Sequence, residues 1–187
     1  MPIEFKEVET TDYSFVYYMF DLYTKTNCVL KYYTNNDDNF EANEIVQGLY
    51  LGNINSAYDM KTLKGLGIKN VISVIAGFQP PFPDDFNYLV INALDNENTD
   101  LSKNFEITNK FIEDAFENNE KILIHCMAGR SRSASVVIAY LIKVFGMNVK
   151  TSMDILKTKR NIVEPNKSFL KQLNNYYETL YRQNEND

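Results

Sequence analysis

Ile122-Leu123-Ile124-His125-Cys126-Met127-Ala128-Gly129-Arg130-Ser131-Arg132-Ser133 is the stretch whose reading decides the fold. Lys121 to His125 reads as a buried strand, an apolar run of strand rather than helix length. It passes straight into a turn holding Gly129, and from Arg132 an apolar-rich run to Phe145, stopped by Gly146, reads as a helix. A strand that hands one residue to the carboxyl edge of a sheet, then a tight loop, then a helix is an α/β arrangement. The loop must curl to reach the helix start, and Gly129 permits the curl. Curling turns successive backbone N–H groups inward as an anion nest. The positive end of the helix dipole faces the same space, so a tetrahedral phosphate fits there without a lysine-rich surface.

The same field acts on Cys126. A thiol at a helix N-terminus beside an arginine is expected to have a lowered pKa, and its thiolate is the nucleophile. Arg132 offers a planar fork for two phosphate oxygens. Met127, Ala128, Gly129, Arg130 and Ser131 are expected to lend their amides to the bound anion. Ser133 can donate a hydrogen bond to the sulfur and help it leave. His125, the single histidine, should point away from Cys126 if the strand alternates, which makes it a poor general base.

Working outward, Leu49-Tyr50-Leu51 reads as a strand, Ser56 as the cap of a helix reaching about Gly65 with Gly67 as its stop, and Ile68 to Ile75 as a buried strand. Phe86 to Ile91 is a further strand. Asp100 is expected to cap a helix from Leu101 to about Asn118, Asn148 one running to about Arg160, and Asn166 a last one after Pro165. The polar stretch 35–44 reads as a linker. Ahead of it, Tyr13 to Tyr33 is rich in aromatics, with no period that separates helix from strand. The expected division is an extension at 1–43, a catalytic domain at 44–182 and a polar tail at 183–187.

With 187 residues, 44% hydrophobic, the chain suits one domain with a real core plus an extension. A net charge of −6 without a basic run argues against nucleic acid or an anionic membrane as partner. Two cysteines, Cys28 and Cys126, make no disulfide framework. The opening residues lack a signal pattern, and Ala134 to Phe145 is too short to span a bilayer. A soluble, reducing, cytoplasmic setting is expected, with nuclear entry left open. No His/Cys cluster suited to a metal is present.

His-Cys, five residues, then Arg-Ser resembles the active-site pattern of the protein tyrosine phosphatase superfamily. The Ala128-Gly129 pair and Ser131-Arg132-Ser133 are similar to its dual-specificity branch. Leu49 to Asn53 with Ser56-Ala57, Gly67 to Val74, and Arg160-Asn161-Ile162-Val163-Glu164-Pro165-Asn166 are similar to other parts of that catalytic domain, so the resemblance covers about residues 44–182. It implies a central mixed, mainly parallel sheet of about five strands with helices on both faces. It also implies hydrolysis of phosphotyrosine and of phosphoserine and phosphothreonine through a phosphocysteine, without metal or cofactor, on a phosphorylated protein substrate. The family takes its general acid from a loop about thirty residues before the cysteine, a role that falls here on Asp95, with Asp100 and Glu97 as rivals. Asp100 has a sufficient alternative role as a cap.

Competing readings share the loop. Lipid-directed relatives carry lysines where Met127, Ala128 and Ser131 stand, and RNA 5′-phosphatases carry His-Gly and Asn-Arg-Thr. A non-catalytic phosphoprotein-binding module has usually lost the nucleophile, which this chain retains. Cys28 is either a resolving thiol or a packing residue. Arg160 and Asn166 match the family, yet a salt bridge and a cap are sufficient roles for them. The extension either recognises substrate, forms a homodimer or packs on its own domain.

Overall fold

The computed structural model describes residues 40–181. The expectations placed on 1–39, including Cys28 and the homodimer, and those on 182–187 lie outside the described residues. The order of elements is β1 (Ala42–Val46), β2 (Leu49–Gly52), α1 (Ile54–Tyr58), α2 (Met60–Leu66), β3 (Ile68–Val74), β4 (Asn87–Ile91), a 3-10 turn (Ser102–Asn104), α3 (Phe105–Glu117), β5 (Lys121–His125), α4 (Arg132–Phe145), α5 (Val149–Lys159) and α6 (Lys167–Tyr181). The sheet runs β1-β2-β5-β3-β4. All neighbours are parallel except β1, which pairs antiparallel with β2. This is the mixed, mainly parallel five-stranded sheet that the resemblance implies, and its α/β class is the one expected from the alternation of strands and helices.

Strand β5 is central, hydrogen-bonded to β2 on one side and β3 on the other. Ile122, Leu123 and Ile124 are fully buried because both sheet faces are covered. Ile122 and Ile124 join Leu49, Leu51, Ile72 and Val74 in the larger core, against α3, α4, α5 and α6. Leu123 faces the other way and meets Tyr50, Val71, Ala57 and Leu63 beneath α1 and α2. The period of two thus divides one strand between two cores. Helix α4 is buried from Arg132 through Ile142. An apolar surface on all its sides suits a helix enclosed by the sheet and by α3, α5 and α6.

Three expectations need correction. The stretch 35–44 is not linker to its end, because β1 begins at Ala42. Its polar residues sit on an edge strand whose Asn43 and Glu44 pair with Leu51 and Tyr50, and the Glu44 carboxylate accepts the Gly48 N–H at 2.8 Å to fix the hairpin. The helix after β2 is capped by Asn53, not Ser56: Asn53 Oδ1 accepts from Ser56 N at 3.1 Å. That helix also ends at Tyr58, and Asp59 caps a second one through Thr62 N at 3.0 Å. Finally, the segment after Asp100 opens with a 3-10 turn before α3. Leu101 is the N-cap of that turn, without a side-chain cap bond; Asp100 lies one residue earlier, its Oδ1 accepting from Ser102 N at 3.1 Å and Ser102 Oγ at 2.6 Å.

Ile124→Ala should lower the unfolding free energy by about 2–5 kcal/mol in a urea titration. Ile107→Ala, at a side chain 54% exposed, should change it by roughly 0.5 kcal/mol or less.

Candidate active site

The carboxyl ends of β2, β4 and β5 converge. Strand β5 delivers Cys126, β4 leads into Asn92 to Asp95, and β2 ends at Gly52 and the N-terminus of α1. Between Cys126 and the start of α4 the chain makes one curl, with Gly129 at φ +63°. Every carbonyl on that curl is held from outside. Met127 O accepts from Ile54 N at 3.1 Å and Arg130 O from Glu164 N at 2.8 Å. Ser131 O accepts from Ser135 N at 2.8 Å and Ser135 Oγ at 2.9 Å. Ala128 O and Gly129 O accept from the Arg160 guanidinium, at 3.0 Å from Nη2 and 2.8 Å from Nε. In a planar trans peptide the N–H points opposite to the C=O. Carbonyls fixed outward therefore leave the following amides facing the hollow above Cys126, which is an anion nest.

Gly129 is required twice over. Its φ lies in the left-handed region, and an added Cβ would stand 2.5 Å from Gly52 O and 2.9 Å from Arg160 Nη2. Met127 is partly buried against the core. Arg130 lies at the rim, where its guanidinium pairs with the Glu164 carboxylate in an exposed salt bridge.

Cys126 sits at the floor, 1% exposed. Burial by itself pushes a thiol pKa up. Here it is outweighed by the Arg132 charge, the Ser133 hydroxyl and the amides of Ser133 and Arg130, so the pKa falls below the ordinary thiol value. Ser133 Oγ donates to the sulfur at 3.1 Å. Arg132 is 5% exposed and anchored by Nη1 to Ala93 O at 3.1 Å. Its Nε is buried and has no hydrogen-bond partner, standing 3.7 Å from Asp95 Oδ2. A buried, permanently charged N–H without a hydrogen-bond acceptor at the edge of an amide nest is what an oxyanion would satisfy.

Asp95 lies at the mouth. Its Oδ1 accepts from Ser131 Oγ at 2.8 Å and Asn166 Nδ2 at 2.9 Å. Asn166 also donates its backbone N–H to Ser131 Oγ at 3.2 Å and caps α6 by accepting Phe169 N at 2.9 Å. Asp100 is engaged by Ser102, whose hydrogen bond holds the Asp100 carboxyl below the usual range. Glu97 is exposed. His125 turns away from the nest, as alternation requires. Its Nε2 lies 2.7 Å from Ser73 Oγ and its ring meets the Phe78 ring edge-on. Burial is the main cause that drives its pKa down to about 3, so the imidazole is neutral at working pH.

Two contributors were underweighted in the sequence. Arg160 is not spent on a salt bridge but on loop carbonyls, with Nη1 reaching Glu41 O and Asn43 Oδ1, each at 3.0 Å. Ser131 holds Asp95 through its hydroxyl. Their partners lie 31 to 119 residues away in sequence, so no local pattern signals them.

Gly129→Ala should abolish binding of orthovanadate, a phosphate-like oxyanion, in a calorimetric titration while the far-UV circular dichroism spectrum stays native. The proton resonances of the one imidazole should show no titration between about pH 5 and 8, where a solvated histidine would titrate near 6.5. A midpoint in that window would contradict the buried neutral ring.

Residues 49–179 match the family described as "Dual specificity phosphatase, catalytic domain". Dual specificity protein phosphatase 1B of Arabidopsis thaliana is 36% identical over 140 residues, spanning 75% of this chain and 84% of that protein. Dual specificity protein phosphatase 1 of the same plant is 37% identical over 140 residues, spanning 75% and 70%. Among solved structures, the human tyrosine phosphatase-like serine/threonine/tyrosine-interacting protein superposes with a TM-score of 0.73 at 33% identity, covering 77% of this chain and 99% of that one. The matched segment runs unbroken from β2 through the nest into α6, and on that extent the chain belongs to the dual-specificity phosphatase family.

Proposed function

We propose that this chain is a protein phosphatase that hydrolyses phosphotyrosine, phosphoserine and phosphothreonine monoesters through a phosphocysteine at Cys126, without a metal ion. The observation that carries the reading is a buried sulfur with a lowered pKa beneath amides turned inward and a buried guanidinium with an unpaired Nε. Nucleophile and charge stabilisers surround the place where a phosphoryl group would sit.

Charge distribution supports the order of events. The Cys126 thiolate attacks phosphorus in line, forming the S–P bond as the P–O bond to the substrate breaks. Arg132 and the amides of Met127, Ala128, Gly129, Arg130 and Ser131 hold the equatorial oxygens as charge builds there. The leaving oxygen takes a proton from Asp95. Because Oδ1 already accepts two hydrogen bonds, both its lone pairs are used and the proton belongs on Oδ2. That is the oxygen nearer Arg132 Nε. Water then attacks the phosphocysteine and gives its proton back to Asp95. The S–P bond breaks, inorganic phosphate leaves, and the Ser133 hydroxyl stabilises the returning thiolate.

Asp95 is favoured over its rivals by placement: the Asp100 carboxylate is engaged by Ser102, and no hydrogen bond joins the exposed Glu97 to the nest. The working unit spans 44–182 together with the start of β1, and a reducing compartment such as the cytoplasm keeps the sulfur unoxidised. The substrate is a phosphorylated protein rather than nucleic acid or a membrane lipid, in keeping with a loop that bears Arg130 but no lysine.

Turnover of an aryl phosphate and of phosphotyrosine, phosphoserine and phosphothreonine peptides tests the reading. Cys126→Ser should abolish it, vanadate should block it and a chelator should not. Asp95→Ala should lower kcat by about 10²–10⁴ with a poor leaving group and little with a good one, whereas Asp100→Ala should leave kcat unchanged. The reverse pattern would reassign the acid.

The pH dependence has a fixed sign. A lowered thiol pKa keeps the thiolate populated below the ordinary thiol range, and alkylation by iodoacetamide falls away only as pH drops through that lowered value. Ser133→Ala removes a donor that favours the thiolate. It should therefore move the alkylation midpoint to higher pH.

A further inference from the structure

Arg160 closes α5 as its C-cap, with its own N–H donating to Leu156 O at 2.7 Å. The side chain is 6% exposed. It does not reach the hollow where the phosphoryl group sits, yet four acceptors converge on its guanidinium at 3.0 Å or less. Two of them are the carbonyls of consecutive loop residues, Ala128 and Gly129. Apart from Ser135 Oγ, which shares the Ser131 carbonyl, the other outside donors to the loop are backbone amides. Among the described residues, Arg160 is thus the one side chain hydrogen-bonded to the backbone carbonyls of Ala128 and Gly129 in the middle of the loop.

Peptide planarity gives this tie a chemical consequence. Fixing Ala128 C=O outward directs the Gly129 N–H inward, and fixing Gly129 C=O outward directs the Arg130 N–H inward. The second of these agrees with the electrostatics of the sulfur, where the Arg130 amide is among the groups that lower the Cys126 pKa. A glycine in the left-handed region has a shallow conformational well. Without an outside donor, the peptides flanking Gly129 are free to flip, presenting carbonyl oxygen to an anion. A guanidinium fork suits the task because its Nε and Nη2 donors diverge in one plane toward two neighbouring carbonyls, a geometry that an ammonium does not reproduce. The far side of the same group, Nη1, grips Glu41 O and Asn43 Oδ1 at the entry of β1. Glu41 is itself held by Asn53 Nδ2 at 2.6 Å.

We propose that Arg160 is a positioning residue for the phosphatase reaction: from behind the loop it sets the two inward amides of Gly129 and Arg130, braced against the start of β1. The inference rests on the phosphatase reading of Cys126 and Arg132 and adds to it a group that never touches substrate.

Arg160→Lys keeps the charge and loses the fork, and Asn43→Ala loosens the brace on the opposite side of the guanidinium. Both full-length variants are compared with wild type by vanadate inhibition constant, kcat and KM for an aryl phosphate, and the pH midpoint of Cys126 alkylation. The expected result for Arg160→Lys is at least a tenfold weaker vanadate inhibition, a raised KM and an alkylation midpoint moved to higher pH, at an unchanged melting temperature or after correction to equal folded fraction. Asn43→Ala should shift the same three quantities in the same direction by less. A purely structural role lowers the folded fraction but leaves the inhibition constant and the alkylation midpoint of the folded molecules unchanged. That outcome overturns the proposal. Should Arg160→Lys fail to fold, unchanged vanadate inhibition in Asn43→Ala overturns it alone. Absence of vanadate-sensitive turnover in wild type would instead overturn the phosphatase reading itself.

Discussion

A peptide unit cannot point both its ends at the same ligand. That constraint governs the loop between Cys126 and Arg132, where the carbonyls from Met127 to Ser131 are each bonded to something behind them. The bonds come from the α1 N-terminus, the end of α5, the segment at Glu164 and the first turn of α4. The hollow is therefore shaped less by the loop's own residues than by the elements that hold its back. Such a site is organised before any anion arrives, and dipoles that need not reorient are the ones most effective at stabilising developing charge.

The sulfur sits in a balance of opposed effects. Removing it from water disfavours the thiolate, and the buried Arg132, the Ser133 hydroxyl and two amides more than repay that cost. His125 contributes no charge, since burial keeps it neutral. Its place between Ser73 and Phe78 is that of a packed strand residue with one ring nitrogen, Nε2, partnered by the Ser73 hydroxyl. Asp95 belongs to a wetter region and is linked to α6 through Asn166. Cys126 thus lies on a closed core and Asp95 on an open rim.

The sheet, the order of its parallel strands' helices and the α4 boundaries were legible because they rest on local signals. Ile122 to Ile124 forms an uninterrupted apolar run, and Gly146, Asn148 and Asn166 stop or cap helices where they stand. Strand β1 was not legible, because an edge strand carrying Asn43 and Glu44 has the composition of a loop. Cys126, Arg132 and Ser133 fall within eight residues of one another and could be read as a unit. Asn53 lost its cap to Ser56 in the reading since both residue types suit the position. Arg160 and Ser131 were misjudged for another reason: what they do is defined by partners brought near only when the chain closes.

Gly129 backs onto the Gly52 peptide, a would-be Cβ at 129 falling 2.5 Å from the Gly52 carbonyl oxygen and 2.7 Å from its carbon. Elsewhere in a core, an enlarged residue can be matched by a smaller neighbour, and volume is traded across the contact. No such trade exists at Gly129, because what its Cβ would strike is backbone, which no substitution makes smaller. The crossing of β2 with the loop is a place where compensation has run out, so the chain can vary around this point but not at it.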